Sequence, residues 1–122
     1  MLLLPFVLHA QANYFISSNG NDNNDGLTKQ AAWKSLEKVS STSFQPGDSI
    51  LFEAKTIFNG NLIIVSSGST EQPIIFTSYG NGKAIINAAN GDGIKAMNVS
   101  NIHVSNLIVQ GSGVEKNNGN GI

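Results

Sequence analysis

Asn101-Ile102-His103-Val104-Ser105-Asn106-Leu107-Ile108-Val109-Gln110-Gly111 holds two short strands with only Ser105-Asn106 between them. Side chains alternate along a strand, so Ile102, Val104, Leu107 and Val109 point inward, and His103, Ser105, Ile108 and Gln110 point mostly outward. Asn106 occupies the bend, where asparagine tolerates left-handed backbone and can hydrogen-bond to its neighbours. Two residues make a corner of a coil. An antiparallel sandwich is the alternative, and it would favour hairpin turns between alternating strands.

Working outward, the other strand candidates are Tyr14 to Ile16, Ser49 to Phe52, Leu62 to Val65, Ile74 to Ser78, Ala84 to Ala88 and Gly93 to Met97. Leu62, Ile94 and Ile122 each begin a strand about thirty residues apart; Ile74 and Ile102 are 28 apart, and Ile85 and Leu107 are 22 apart. Three strands per period is the pattern of a solenoid, in which each coil buries its inward side chains only by stacking on the next. One helical pattern interrupts the strands. From Thr28 to Val39 the apolar residues Ala32, Trp33, Leu36 and Val39 recur at three- and four-residue intervals. Gln45-Pro46-Gly47-Asp48 then reads as a turn feeding the strand at Ser49.

The chain has 122 residues and a formal charge of -1, with 12% of residues charged. That composition fits one domain and gives no electrostatic footprint for nucleic acid. All seven basic residues are Lys, so the bidentate fork of Arg is not on offer, and cysteine is absent. Residues 1–12 read as a signal peptide that lacks its usual positively charged start: an apolar run, Leu2 to Leu8, ends in Ala10-Gln11-Ala12, which places cleavage after Ala12. The run is too short to span a bilayer, so no membrane span is expected in the mature chain. Residues 13–48 then form a strand, a polar loop and a helix, and residues 49–122 the coils. The expected location is outside a bacterial cell, secreted or at its surface.

Four segments in combination resemble the N-terminal region of right-handed parallel β-helix proteins of the pectate-lyase-like superfamily. They are Asn19-Gly20-Asn21-Asp22 with Asn24-Asp25-Gly26, Ala32-Trp33-Lys34-Ser35-Leu36, Pro46-Gly47-Asp48-Ser49-Ile50-Leu51-Phe52, and Pro73-Ile74-Ile75-Phe76-Thr77-Ser78-Tyr79-Gly80. The resemblance implies an all-β, right-handed parallel β-helix truncated after about two coils. It also implies that a helix carrying Ala32, Trp33, Leu36 and Val39 caps the N-terminal end. Extracellular polysaccharide is the implied partner, and lyase or hydrolase activity the implied chemistry, with the catalytic residues beyond this fragment. A noncatalytic surface adhesin or glycan-binding scaffold is the alternative.

Lyase chemistry on a uronate needs a base and a cation, often Ca2+, to neutralise the carboxylate. Lys95 is the local candidate for contact with substrate, since Ile94 and Ala96 are expected to point inward and leave it on the outer face. Asn21, Asn23 and Asp25, followed by Gly26, echo the opening of a calcium loop, with oxygen ligands at alternate positions. Ala32 stands where such a loop needs a bidentate Glu, so a turn that positions the helix is the competing reading. His103, Asp92 and Asp48 read as surface or turn residues, and Trp33, Phe52, Phe58, Phe76 and Tyr79 as core.

Overall fold

The computed structural model describes residues 11–111. Its elements in chain order are β1 (Asn13–Ile16), α1 (Leu36–Ser40), β2 (Ser49–Glu53), β3 (Ile57–Asn59), β4 (Leu62–Ile64), β5 (Ile74–Tyr79), β6 (Ala84–Asn87), β7 (Ile94–Ala96), β8 (Ile102–Val104) and β9 (Leu107–Gln110). The expected strand at Ile122 and most of the expected leader lie outside the described residues.

The strands form three sheets, β1-β2-β5-β8, β3-β6-β9 and β4-β7. Every pairing is parallel. From β2 to β6 each strand pairs with the third strand after it, so successive circuits of the chain lie one on another. The fold is all-β, and its parallel sheets fit a β-helix. Alternation decides the interior: Ile50 and Phe52 of β2, Ile74 and Phe76 of β5, Phe58 of β3, Leu62 and Ile64 of β4, Ile86 of β6 and Ile94 of β7 are buried together. Ile102, Val104, Leu107 and Val109 pack against that cluster from the last circuit, as their alternation requires. Corners are turned in left-handed backbone by Asn98, Asn101 and Asn106, with φ of 54°, 57° and 54°.

Leu62 aligns with Ile94 and Ile74 with Ile102, as the spacing predicts. The expected match of Ile85 with Leu107 is off by one residue: Leu107 aligns with Ala84, and Ile85 with Ile108. Rungs of a parallel sheet join residues that face the same way. Ala84 is buried and Leu107 packs on the core, whereas Ile85 and Ile108 face out.

The helix is shorter than its pattern predicts. Ala32 and Trp33 precede α1, and Trp33 forms a parallel bridge with Ile16. The Trp33 amide donates to the Phe15 carbonyl at 2.8 Å and the Ser17 amide to the Trp33 carbonyl at 2.8 Å. Those bonds to the end of β1 occupy groups that a helix would need for itself. The approach is so close that a Cβ at Gly20 would stand 2.1 Å from the Trp33 carbonyl oxygen. Helix α1 starts only after Ser35, whose hydroxyl accepts from the Lys38 amide at the N-cap. Leu36 and Val39 are buried, and α1 packs against β4.

Candidate functional site

Beside the start of α1, a cleft of about 230 Å³ is lined by Ser18, Lys34, Ser35, Leu36, Ile57, Phe58 and Asn59. It is smaller than the roughly 300–1,000 Å³ that encloses a drug-sized ligand. Three segments build it. Residues 17–18 leave β1, residues 34–36 enter the helix, and β3 is one of the two edge strands of its sheet among the described residues.

Asp22 fixes one wall. Its Oδ1 accepts from the amides of Lys34 at 2.8 Å and Ser35 at 3.0 Å, and its Oδ2 accepts from the Ser35 hydroxyl at 2.6 Å. Burial pushes this carboxyl up, but the bonds from Ser35 and Lys34 and the charge of Lys38 outweigh it, and the pKa is lowered overall. Asp22 therefore stays ionised and holds the segment entering α1.

The outer face of β3-β6-β9 runs on from the cleft. Ile57, Ile85 and Ile108 stand in register on successive rungs, and Asn59, Asn87 and Gln110 form a second row two residues along. The Asn87 side-chain amide donates to Asn59 Oδ1 at 2.9 Å. An aliphatic row thus lies beside an amide row.

Two other carboxylates are engaged elsewhere. Asp48 is buried and accepts from the amides of Ala12 and Gln45 at 3.1 and 2.9 Å, which ties the turn before β2 to the start of β1. Glu53 Oε1 accepts from the hydroxyls of Ser17 and Thr56 at 2.9 and 3.2 Å. Burial raises the Tyr79 phenol, and the charge of Glu53 raises it further against a lowering hydrogen bond with Ser17. Glycoside hydrolysis needs an acid and a second carboxylate flanking the scissile bond. The bonds at Asp22, Asp48 and Glu53 give these groups structural work.

The residues singled out in the sequence are dispersed. Lys95 is exposed on β7 beside Ile63. Ala96 is on the inward side, in register with buried Ile64, yet it is exposed, because among the described residues no strand pairs on the far side of β7. Asn21 Oδ1 accepts from the Asn23 amide at 2.8 Å, and Asp25 Oδ1 from the Leu27 amide at 2.9 Å. Those oxygens close turns of the loop that Asn24 fastens to Trp33, whose indole donates to the Asn24 carbonyl at 2.8 Å. Among the described residues, no three His, Cys, Asp or Glu side chains converge as a metal site. Ala32, Trp33, Leu36 and Val39 are all buried, although only the last two lie on the helix. His103 is exposed on β8, and the Asp92 carbonyl accepts from the Asn61 side chain at 2.6 Å in a turn. Asp22 and the two outer rows are what sequence reasoning missed; Asp22 meets partners 12 and 13 residues away. Among the described residues no helix is long and apolar enough to cross a membrane.

No family model matches the chain. An 86-residue alignment that takes in 64% of this chain is 38% identical to a lacto-N-biosidase of Bifidobacterium longum subsp. longum, and covers 5% of that protein. The fold is similar to that of the GH136 lacto-N-biosidase of Eubacterium ramulus. In its selenomethionine crystal the TM-score is 0.76 and the identity 29%, over 84% of this chain and 21% of that one. In its native crystal the values are 0.73 and 28%, over 80% and 20%. The likeness is to part of a GH136 lacto-N-biosidase, and does not single out the pectate-lyase-like superfamily that the sequence motifs resemble.

Proposed function

We propose that this chain is the N-terminal part of a secreted glycoside hydrolase that acts on oligosaccharides of the lacto-N-biose type. In this reading, residues 49–111 form the first coils of a right-handed parallel β-helix, α1 with Ala32 and Trp33 caps its N-terminal end, and the signal peptide is removed after Ala12. The catalytic carboxylates belong to later coils, because the chain spans 5% of its curated relative and about a fifth of the solved one.

The observation that carries the proposal is agreement between the likeness in sequence and the likeness in fold. The sequence match at 38% identity and the structural match at a TM-score of 0.76 both lead to lacto-N-biosidases. Net charge near zero and a lysine-only basic set fit a neutral sugar better than a polyuronate. In this reading hydrolysis displaces lyase chemistry.

The test is to incubate the full-length protein with a chromogenic lacto-N-bioside and, separately, with pectate. Release of the chromophore together with free disaccharide is expected. Unsaturated uronate from pectate would overturn the proposal in favour of a lyase, and inertness toward both would leave a noncatalytic glycan-binding scaffold.

A further inference from the structure

We propose that the outer face of the β3-β6-β9 sheet is a glycan-binding row on which an extended, neutral oligosaccharide lies across the rungs, with its end in the adjoining cleft. The proposal rests on the glycan-directed reading above and adds to it a place and a register.

Scattered exposed apolar residues need no explanation on a protein surface. The outer isoleucines are different because they are aligned. Ile57 is 57% exposed, Ile108 is 42% exposed, and Ile85 stands between them in register, so one strip crosses three rungs. The amide row of Asn59, Asn87 and Gln110 flanks it at two-residue spacing, and the Asn87-to-Asn59 bond holds two of its members in line.

A sugar ring presents an apolar C–H face and a rim of hydroxyls, and binding it takes an apolar surface with neutral donors and acceptors at its margin. An amide supplies both a donor and an acceptor and carries no charge. The repeat also fits. Rungs of a sheet are about 4.8 Å apart, and each sugar residue lengthens an extended glycan by about the same distance, so successive rings can meet successive Ile–amide pairs. Neither row contains a charged residue, so the face does not select an anionic partner. Lys34 and Ser18 in the cleft add polar side chains at the β3 end of the row.

The experiment uses the full-length protein. Calorimetry measures binding of lacto-N-biose and of a longer neutral oligosaccharide ending in it, while hydrolysis of a chromogenic lacto-N-bioside by the unmodified protein is read separately. Two double variants are compared: Asn59→Ala with Asn87→Ala, which removes amides, and Ile57→Ser with Ile108→Ser, which removes exposed apolar surface and spares the core. Val65→Ser, 51% exposed on the β4 side, is the control. The expected result is a loss of about tenfold or more in affinity for the longer oligosaccharide in both double variants and none in the control, with unchanged thermal melts. Unaltered affinity in the isoleucine variant, with the unmodified protein hydrolysing its substrate, would overturn the row and leave the hydrolase reading standing. Self-association that disappears in the isoleucine variant, with glycan affinity unchanged, would overturn it in favour of an interface between copies. Neither binding nor hydrolysis by the unmodified protein would defeat both proposals.

Discussion

Asp22 concentrates in one residue the way this chain holds its N-terminal segment. Two backbone amides and a hydroxyl converge on its carboxylate from residues 34 and 35. Hydrogen bonds to a charged group contribute more than neutral ones, so Asp22→Asn, which keeps one acceptor and loses the charge, is expected to cost about 1–2 kcal/mol at neutral pH. The pH dependence has a definite sign. The pKa is lowered in the folded state, so the Asp22 contribution is fully present above the unfolded carboxylate value near 3.9 and is lost as pH falls through the lower folded value. The gap between the two proteins should therefore hold constant from neutral pH down to that window and then close. Urea midpoints across the acid range read this directly. In the sequence, Asp22 is one polar residue in a run of asparagines, and nothing local shows that its partners lie past the loop. Asn21, Asn23 and Asp25 draw attention because their alternation copies a ligand pattern, yet Asn21 and Asp25 accept bonds two residues on within the loop itself.

At the scale of elements, alternation and spacing made most strands legible. β2 and β4 to β9 fall where apolar alternation places them, within a residue or two at their ends. β3 was not legible, because Ile57-Phe58-Asn59 is short and lies between Ala54-Lys55-Thr56 and Gly60-Asn61, which read as loop. Lys55 takes a left-handed φ of 61° there, a corner that its residue type does not announce. The helix failed for a different reason. Its three- and four-residue spacing is real, but Ala32 and Trp33 bury their side chains from outside the helix, with Trp33 bridged to the end of β1, so one apolar stripe serves two conformations. Burial along the strands leads to a sharp contrast. Phe52 is fully buried and meets Phe58 edge-on with ring centroids 5.5 Å apart. Phe52→Ala is expected to cost about 3–5 kcal/mol, whereas Ile108→Ser on the outer face should stay within about 0.5 kcal/mol. Denaturant midpoints of the two variants check this, and equal losses would mean that the assignment of faces is wrong.

For the molecule as a whole, each circuit buries its inward residues against the circuits beside it, so stability is set by nearest neighbours along the stack. The sequence carried the period. It did not carry the register of the β6–β9 pair, because a spacing of 22 residues looks as natural as one of 23 until the faces are known. Nor did it carry the outer rows, which exist only once Ile57, Ile85 and Ile108 are laid on successive rungs. The central claim is that stacking, and its register can be trapped chemically. The chain contains no cysteine, so Ile57→Cys with Ile85→Cys introduces a single pair of thiols on adjacent rungs of the outer face. Neighbouring strands lie about 4.8 Å apart, within the Cα separation a disulfide spans. The control pairs Ile57→Cys with Ile86→Cys, whose side chains point to opposite faces. Under a glutathione redox buffer the first protein should close its disulfide within the monomer, and the second should keep both thiols free. Closure in the control but not in the aligned pair, or in neither, would contradict the parallel stack on which the account rests.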